Sequence, residues 1–312
     1  MPTRDDVCVL LPTYNEAAAI ADVVSGFRDE GFDDILVVDG GSDDGTRELA
    51  AEAGGRVVEQ SGSGKGQAVR EAVAEHVDAE YVLMADGDGT YRPADAEAML
   101  EPLFEGRSEH VIGNRFAEME PGAMDRLNRV GNRLINRAFG IIHGTNYTDI
   151  LSGYRAFTRE SFERSRLTAE GFGIETELAV ECIRNGISTT VVPIGYESRP
   201  GGSETNLRPL KDGARIGLTL YRLARTNNPI FYFGSVALLG LVAGVGVGLF
   251  VGYEFFVNGV SREISALLAA FLILLSVQLL MFGVLSDIVV SMNREQRRRI
   301  EELREQIDDD RM

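Results

Sequence analysis

Ile35-Leu36-Val37-Val38-Asp39-Gly40-Gly41-Ser42-Asp43-Asp44-Gly45-Thr46 passes from four apolar residues into acids and glycines, and a helix-like stretch then runs to Ala53. Such a run suits a buried strand of a parallel sheet, whose ligands sit beyond its carboxyl end. The pattern recurs on both sides. Val7-Cys8-Val9-Leu10-Leu11 leads into Pro12-Thr13-Tyr14-Asn15-Glu16 and a helical stretch over residues 16–30, closed by Gly31. Arg56-Val57-Val58-Glu59 leads into residues 61–66 and a helix to about His76. Tyr81-Val82-Leu83-Met84 leads into Asp86-Gly87-Asp88-Gly89-Thr90, and after a helix over residues 94–104, His110-Val111-Ile112 reads as a fifth strand. Alternating strands and helices predict an α/β fold, a mostly parallel sheet with helices on both faces. Four polar, glycine-rich segments then fall at one sheet edge, which becomes the candidate site.

The rest of the chain sets limits on what that edge does. The 312 residues carry 48 acidic and 31 basic side chains, a formal net charge of −17, which excludes a general nucleic-acid binder. All the basic residues but Lys65 and Lys211 are arginine, and a strongly acidic, lysine-poor chain fits adaptation to concentrated salt. Two cysteines, Cys8 and Cys182, are too few for a disulfide scaffold. Met1-Pro2-Thr3-Arg4-Asp5-Asp6 lacks the character of a secretory leader, so the soluble part is expected in the cytosol.

Residues 230–253 and 264–286 contain no charge. At about 1.5 Å per residue each spans roughly 35 Å, enough to cross a bilayer. A short connection makes them a hairpin. Arg222 and Arg225 precede it, Arg294, Arg297, Arg298 and Arg299 follow it, and the loop holds only Arg262, so both flanks are expected on the cytoplasmic side. The domain reading is therefore residues 1–205 catalytic, 206–228 a basic amphipathic helix at the membrane surface, 229–292 the hairpin and 293–312 a charged cytoplasmic tail. The protein is expected at the cell membrane. Membrane hairpins also allow copies of the chain to pair as a homo-oligomer.

Asp86-Gly87-Asp88 follows a buried strand directly, so its carboxylates project oxygen ligands into the cleft; hard cations such as Mg²⁺ or Mn²⁺ take such ligands and bridge them to phosphates. A calcium loop is the competing reading. Glu97 has the right spacing for it, but Tyr91 replaces its turn glycine and Pro93 interrupts it. Asp39, at a strand end, suits ribose hydroxyls or a base edge, although Gly40, Gly41 and Gly45 lack the dinucleotide spacing. Gly64-Lys65-Gly66 is not a P-loop, yet Lys65 can face a diphosphate. Residues 115–137 carry five arginines against Glu118, Glu120 and Asp125, inside an otherwise acidic domain. Guanidinium groups bind phosphate bidentately, so this stretch is a candidate phosphate site, with a solvated arginine-rich helix as the alternative. Glu175 and Glu177 lie near a helix start, where acids favour the dipole.

Leu11-Pro12-Thr13-Tyr14-Asn15-Glu16, residues 37–46, Gly64-Lys65-Gly66 and Asp86-Gly87-Asp88 together resemble the family 2 glycosyltransferases, which have the Rossmann-like GT-A fold. Val111-Ile112-Gly113-Asn114-Arg115-Phe116, residues 129–136, Asp149-Ile150-Leu151-Ser152-Gly153-Tyr154-Arg155 and Tyr196-Glu197-Ser198-Arg199 resemble the dolichyl- and polyprenyl-phosphate hexose synthases. With the acidic composition, the chain is most similar to haloarchaeal dolichyl-phosphate glucosyltransferases that begin N-glycan assembly. The resemblance implies a nucleotide-sugar donor, UDP-glucose in the first place, a dolichyl or polyprenyl phosphate acceptor and a divalent metal. It implies that Pro12, Tyr14, Asn15, Glu16, Asp39, Ser42, Lys65, Asp86, Gly87 and Asp88 hold the donor, with Asp86 and Asp88 on the metal. Relatives often supply a third ligand two residues later; here that place is Thr90, and its part is left open. Arg115, Arg126, Arg129, Ser152 and Arg199 would hold the acceptor phosphate, with Asp88, Arg115 and Arg129 carrying catalysis. The lysine often found shortly after Arg199 is missing. A mannose synthase using GDP-mannose is the alternative donor reading, and a membrane-tethered nucleotide-binding protein the non-enzymatic one. A processive polysaccharide synthase would need a Gln-x-x-Arg-Trp motif, and the chain has no tryptophan.

Overall fold

Side chains alternate across a strand, and β1 (Val7–Thr13) is buried on both faces. Val7, Val9 and Leu11 pack on one side with α1 (Ile20–Asp29) and α4 (Ala96–Phe104); Cys8 and Leu10 pack on the other with α3 (Lys65–Glu75) and α7 (Ile174–Asn185). Each fully buried side chain of this kind contributes roughly 1.5–3 kcal/mol. The continuous apolar runs of the sequence are thus strands covered on both faces. This computed structural model describes residues 2–168, 173–200, 217–218, 221 and 228–309. It divides into two units, Met1–Thr219 and Leu220–Met312.

In the first unit, β2 (Ile35–Asp39), α2 (Thr46–Glu52), β3 (Arg56–Glu59), β4 (Tyr81–Met84), β5 (His110–Met119), α5 (Arg126–His143), β6 (Arg155–Thr158), α6 (Arg159–Glu163) and β7 (Thr189–Tyr196) complete the fold. Seven strands stand in the order β3-β2-β1-β4-β6-β5-β7. β6 runs antiparallel to both its neighbours, and the other pairs are parallel. The register aligns Thr13 with Asp39 and Asp39 with Glu59, and pairs Leu10 with Met84. The loops after β1, β2, β3 and β4 therefore leave from one edge, as the alternating pattern predicts.

Three departures bear on the site. α1 starts at Ile20, not near Glu16, because Asn15 sits at φ 55° and the Glu16 backbone N–H is given to Thr46 Oγ1 across the loop. β5 extends to Met119 with an irregularity between Asn114 and Glu118, which turns the chain toward α5. β6 and β7 widen the sheet beyond the five strands read from the sequence. Cys8 and Cys182 are buried, free thiols.

The second unit contains α8 (Pro229–Asn258) and α9 (Glu263–Asp309). Pro229–Asn258 and Glu263–Asn293 have mean hydropathies of 2.2 and 2.5 and are long enough to cross a membrane. A Cβ at Gly244 would stand 2.9 Å from Ile273 Cγ1 and 3.1 Å from the Ala269 carbonyl oxygen, so glycine sets how closely the two helices approach. The turn between them is held by Glu254, which accepts hydrogen bonds from Asn258 and Arg262. The interfacial helix expected over residues 206–228 falls almost wholly outside the described residues.

Candidate active site

The loops after β1 and β2 are stitched together. Ser42 Oγ accepts from the Asn15 N–H at 2.9 Å, and Asn15 Oδ1 accepts from the Asp43 N–H at 3.1 Å. Asp39, fully buried, accepts from the Gly41 and Ser42 N–H groups at 3.0 and 2.8 Å and from Ser42 Oγ at 2.5 Å. Asp39 and Ser42 therefore shape the turn as part of the pocket wall, and Pro12 lies buried within β1. The large apolar side chain left exposed here is Tyr14, 50% accessible, beside the exposed acids Asp43 and Asp44.

Asp86 and Asp88 follow β4. A Cβ at Gly87 would come within 2.3 Å of Thr13 Cγ2, so only glycine lets the two carboxylates flank this close approach to β1. A Cβ at Gly153 would likewise strike the Asp86 carboxylate at 2.5 Å, and the Gly153 N–H is fixed by Tyr91 Oη at 2.8 Å. Lys65 ion-pairs with Asp86 and, at 2.5 Å, with Glu175. Burial opposes its charge, but Asp86 and then Glu175 hold its pKa above the ordinary lysine value. Asp88 accepts from the Thr90 hydroxyl at 2.6 Å and pairs with Arg199 at 2.6 Å. Arg199 also reaches Glu16 at 3.5 Å. Burial pushes the Glu16 carboxyl up to about 7, with Asp88 and Asp86 adding to the rise and Arg199 opposing it.

Asp86 and Asp88 thus face a common region in which cationic groups already stand against both. Their hard oxygen donors fit Mg²⁺ or Mn²⁺. Thr90 does not fit as a third ligand: it is 2% exposed and its hydroxyl is turned onto Asp88, which it orients.

The second group of expected residues is divided. Arg115 is buried in a bidentate pair with Asp149, both contacts at 2.8 Å, and also donates to Asn132 Oδ1 at 3.0 Å. Burial opposes its charge, yet Asp149 holds its pKa well above the usual value. Its Nε and Nη2 groups hold the segment that begins at Asp149 and tie it to Asn132 on α5. Ser152 is fully buried; its Oγ accepts from the Tyr154 N–H at 3.3 Å and its carbonyl from Arg155 Nε at 3.0 Å, so it too is structural. Arg126 and Arg129 are exposed on α5, and no described contact joins them to Asp86 or Asp88. Beside them a cavity of about 560 Å³ is lined by Arg133, Arg137, Asn136, Phe116 and Thr148, among others. Asn136 Oδ1 accepts from the Ile150 N–H at 2.9 Å, while its buried Nδ2 has no partner.

Glu175, Asp149 and Asn136 stand in this region without a role from the sequence reading, whereas Arg133 and Arg137 belong to the arginine-rich stretch already read as a candidate phosphate site. The one usable signal was chemical: a buried Arg115 requires an acid, and Asp149 stands in a quoted motif. Glu175 looked like a helix-dipole acid, and only packing of α7 beside α3 brings it to Lys65.

A pair of aspartates at the carboxyl edge of this α/β sheet, with Tyr14 exposed on a neighbouring loop, is the arrangement of a glycosyltransferase of the GT-A fold. The chain belongs to glycosyl transferase family 2, whose profile matches residues 8–166. It is 64% identical over 97% of its length to glycosyltransferase AglJ of Haloferax volcanii, all of which is covered. It is 36% identical, over 71% of its own length and 95% of the relative, to a dolichyl-phosphate hexose transferase of the same organism. A crystal structure of glucosyl-3-phosphoglycerate synthase from Mycobacterium tuberculosis with Mn²⁺, UDP-glucose and phosphoglyceric acid matches 70% of this chain and 79% of that one. Its TM-score is 0.59 at 23% identity, a likeness of fold.

Proposed function

We propose that the protein transfers a hexose from a nucleotide-sugar, UDP-glucose in the first place, to dolichyl or another polyprenyl phosphate at the cytoplasmic face of the membrane, as a step of protein N-glycosylation. The observation that carries this reading is the Asp86–Asp88 pair flanked by Lys65 and Arg199, with exposed arginines on α5. The relatives named above, one of them a dolichyl-phosphate hexose transferase, support the acceptor class.

Asp86 and Asp88 would hold Mg²⁺ or Mn²⁺, which when bound neutralises the charge of a departing diphosphate. Tyr14, exposed at the mouth of the stitched loops, offers a ring face to the base, and the Asn15–Ser42 bond keeps that mouth open and rigid. Lys65, anchored by Glu175, brings a second positive charge to the diphosphate side. The acceptor needs no general base. A phosphate monoester has its second pKa at about 6 and is already largely a dianion at neutral pH. The task of the protein is to bring that dianion against an anionic donor, and Arg129, Arg126, Arg133 and Arg137 supply the charge for it. Asn136 Nδ2 adds a neutral hydrogen-bond donor in the same cavity. One in-line displacement by phosphate oxygen inverts the anomeric carbon.

The test incubates membranes containing the protein with labelled UDP-glucose and GDP-mannose separately and identifies the organic-soluble product. A glucolipid formed from UDP-glucose, and abolished by Asp88→Ala, is the expected result. A mannolipid from GDP-mannose would move the sugar assignment. Absence of lipid product with either donor, while nucleotide still binds, would leave a tethered nucleotide-binding protein.

A further inference from the structure

Arg92 stands a few residues past Asp88, among acids gathered from two other strands. Its Nε donates to Glu197 Oε1 at 2.6 Å, and its Nη1 and Nη2 stand 3.9 Å from Glu118 and 4.0 Å from Glu120. Glu118 lies near the end of β5, Glu120 just beyond it, and Glu197 directly after β7. Among the described residues no other cation pairs with these carboxylates. A Cβ at Gly195 would stand 2.5 Å from Arg92 Cδ and Nε, so the arginine stem lies flat on β7 where no side chain intervenes.

The chain that Arg92 grips is the one that carries Arg199. Tyr91 and Tyr196 form an isolated antiparallel bridge, and the Glu197 N–H donates to the Thr90 carbonyl at 2.9 Å. The Tyr196 carbonyl accepts from the Glu120 N–H at 2.9 Å, and the Ser198 N–H donates to the Glu120 carboxylate at 3.4 Å. Beyond Glu197, Arg199 crosses to Asp88 at 2.6 Å and to Glu16 at 3.5 Å. Pro200 then lies over Gly89, its ring 3.2 Å from where a Cβ would stand. Residues 195–200 therefore form a strap across the loop that holds Asp88, and Arg92 is the positive charge at its root. The backbone bonds attach that root with or without the charge. What the charge adds is the direction in which residues 197–199 leave it, because without Arg92 the carboxylates of Glu118, Glu120 and Glu197 face and repel one another. We infer that Arg92 is a positioning residue for the transfer: by neutralising Glu118, Glu120 and Glu197 it sets the strap so that the Arg199 guanidinium lies over Asp88, where the acceptor phosphate arrives. Arg92 touches no reacting group itself. The inference rests on the proposed function, with Arg199 among the ligands of the acceptor phosphate, and adds the residue that places it.

The test uses full-length protein in membranes and reads the KM for polyprenyl phosphate and for the nucleotide-sugar, each relative to wild type at the same salt. Two concentrations of KCl are compared, about 0.1 M and about 1 M, where the Debye length is about 10 Å and about 3 Å. Arg92→Gln should raise the polyprenyl phosphate KM about 10-fold at the lower salt and about threefold or less at the higher, with the donor KM within about twofold. Arg92→Lys keeps the charge and should stay within about threefold of wild type at both. Adding Glu118→Gln and Glu120→Gln to Arg92→Gln removes most of the repulsion and should return the acceptor KM to within about threefold. The double variant Arg92→Gln/Arg199→Gln should be no worse than Arg199→Gln alone, because both act through one guanidinium. Arg107→Gln, an exposed arginine paired with Glu101 and Glu105, shows what loss of a surface charge does by itself and should change neither KM. An acceptor KM raised equally at both salts, or effects of Arg92→Gln and Arg199→Gln that multiply, would make Arg92 a plain fold contact and overturn the inference. A triple variant still impaired about 10-fold overturns it as well, and that comparison stands even where Arg92→Gln alone is not recovered. An unchanged acceptor KM in Arg92→Gln beside a raised one in Arg199→Gln removes the inference and leaves the acceptor role of Arg199 standing. An unchanged acceptor KM in Arg199→Gln removes both.

Discussion

At the carboxyl edge of β1–β4, the acids are neutralised in place: Asp86 by Lys65, Asp88 by Arg199 and the Thr90 hydroxyl, Asp39 by its own turn. On α5 the opposite holds, with four arginines set out in solvent. The first region is pre-organised, so a ligand entering it exchanges one set of cationic contacts for another. The second has nothing to exchange and waits for an anion. Damage to the first region should therefore fall on the chemical step, and damage to the second on affinity for the acceptor alone.

The strongest test of that division is Asp88→Ala. It removes a carboxylate expected on the metal and releases Arg199, and transfer should fall by about 10³-fold or more, about 4 kcal/mol in the barrier. Asp88→Asn, which keeps a partner for the Thr90 hydroxyl, should be nearly as poor. Full activity in either would remove the strand edge from the chemistry. Next comes Arg129→Ala. The KM for polyprenyl phosphate should rise about 10- to 100-fold, the loss of one charge-assisted contact, while the donor KM stays within about twofold. Equal rises in both would erase the contrast between the two regions.

The two regions also differ in how far they could be read in advance. β1 to β4 and their loops are local patterns, an apolar run ending in glycine and acid, and the strands fall where the pattern puts them. The motif residues Asp86, Gly87 and Asp88 came with them, because spacing along one loop is enough to bring two carboxylates together. The acceptor side is made by pairs distant in sequence. Arg115 meets Asp149 across 34 positions, and β6 enters between β4 and β5 in reversed direction. No periodicity reports either event, so nothing in the sequence signalled that Arg115 and Ser152 also hold the fold together through Asp149, Tyr154 and Arg155. Thr90 was named only for its position, its part left open, and its hydroxyl is turned onto Asp88.

Glu175 gives a smaller effect that crosses both kinds of evidence. Glu175→Gln leaves Lys65 buried against Asp86 alone, so thermal unfolding should show a loss of about 1–3 kcal/mol. Asp86 then has to balance Lys65 by itself, and divalent metal measured by calorimetry should bind about 3- to 10-fold more weakly. Unchanged metal affinity would make Glu175 purely structural.

The smallest effect concerns Glu16, whose buried carboxyl titrates at about 7 in place of its usual 4.5. A folded-state pKa above the unfolded one means that this group's contribution is complete below pH 4.5 and is lost as pH rises through 7. Glu16→Gln removes the titration. In EDTA, the Tm of the variant minus that of the wild type should become more positive from pH 5 to pH 8, whatever its sign at pH 5. A difference that is flat across that window would show that Arg199 holds Glu16 ionised throughout. The strand edge would then be a closed ion-pair network already at pH 5, and the contrast with the open arginines of α5 would be sharper still.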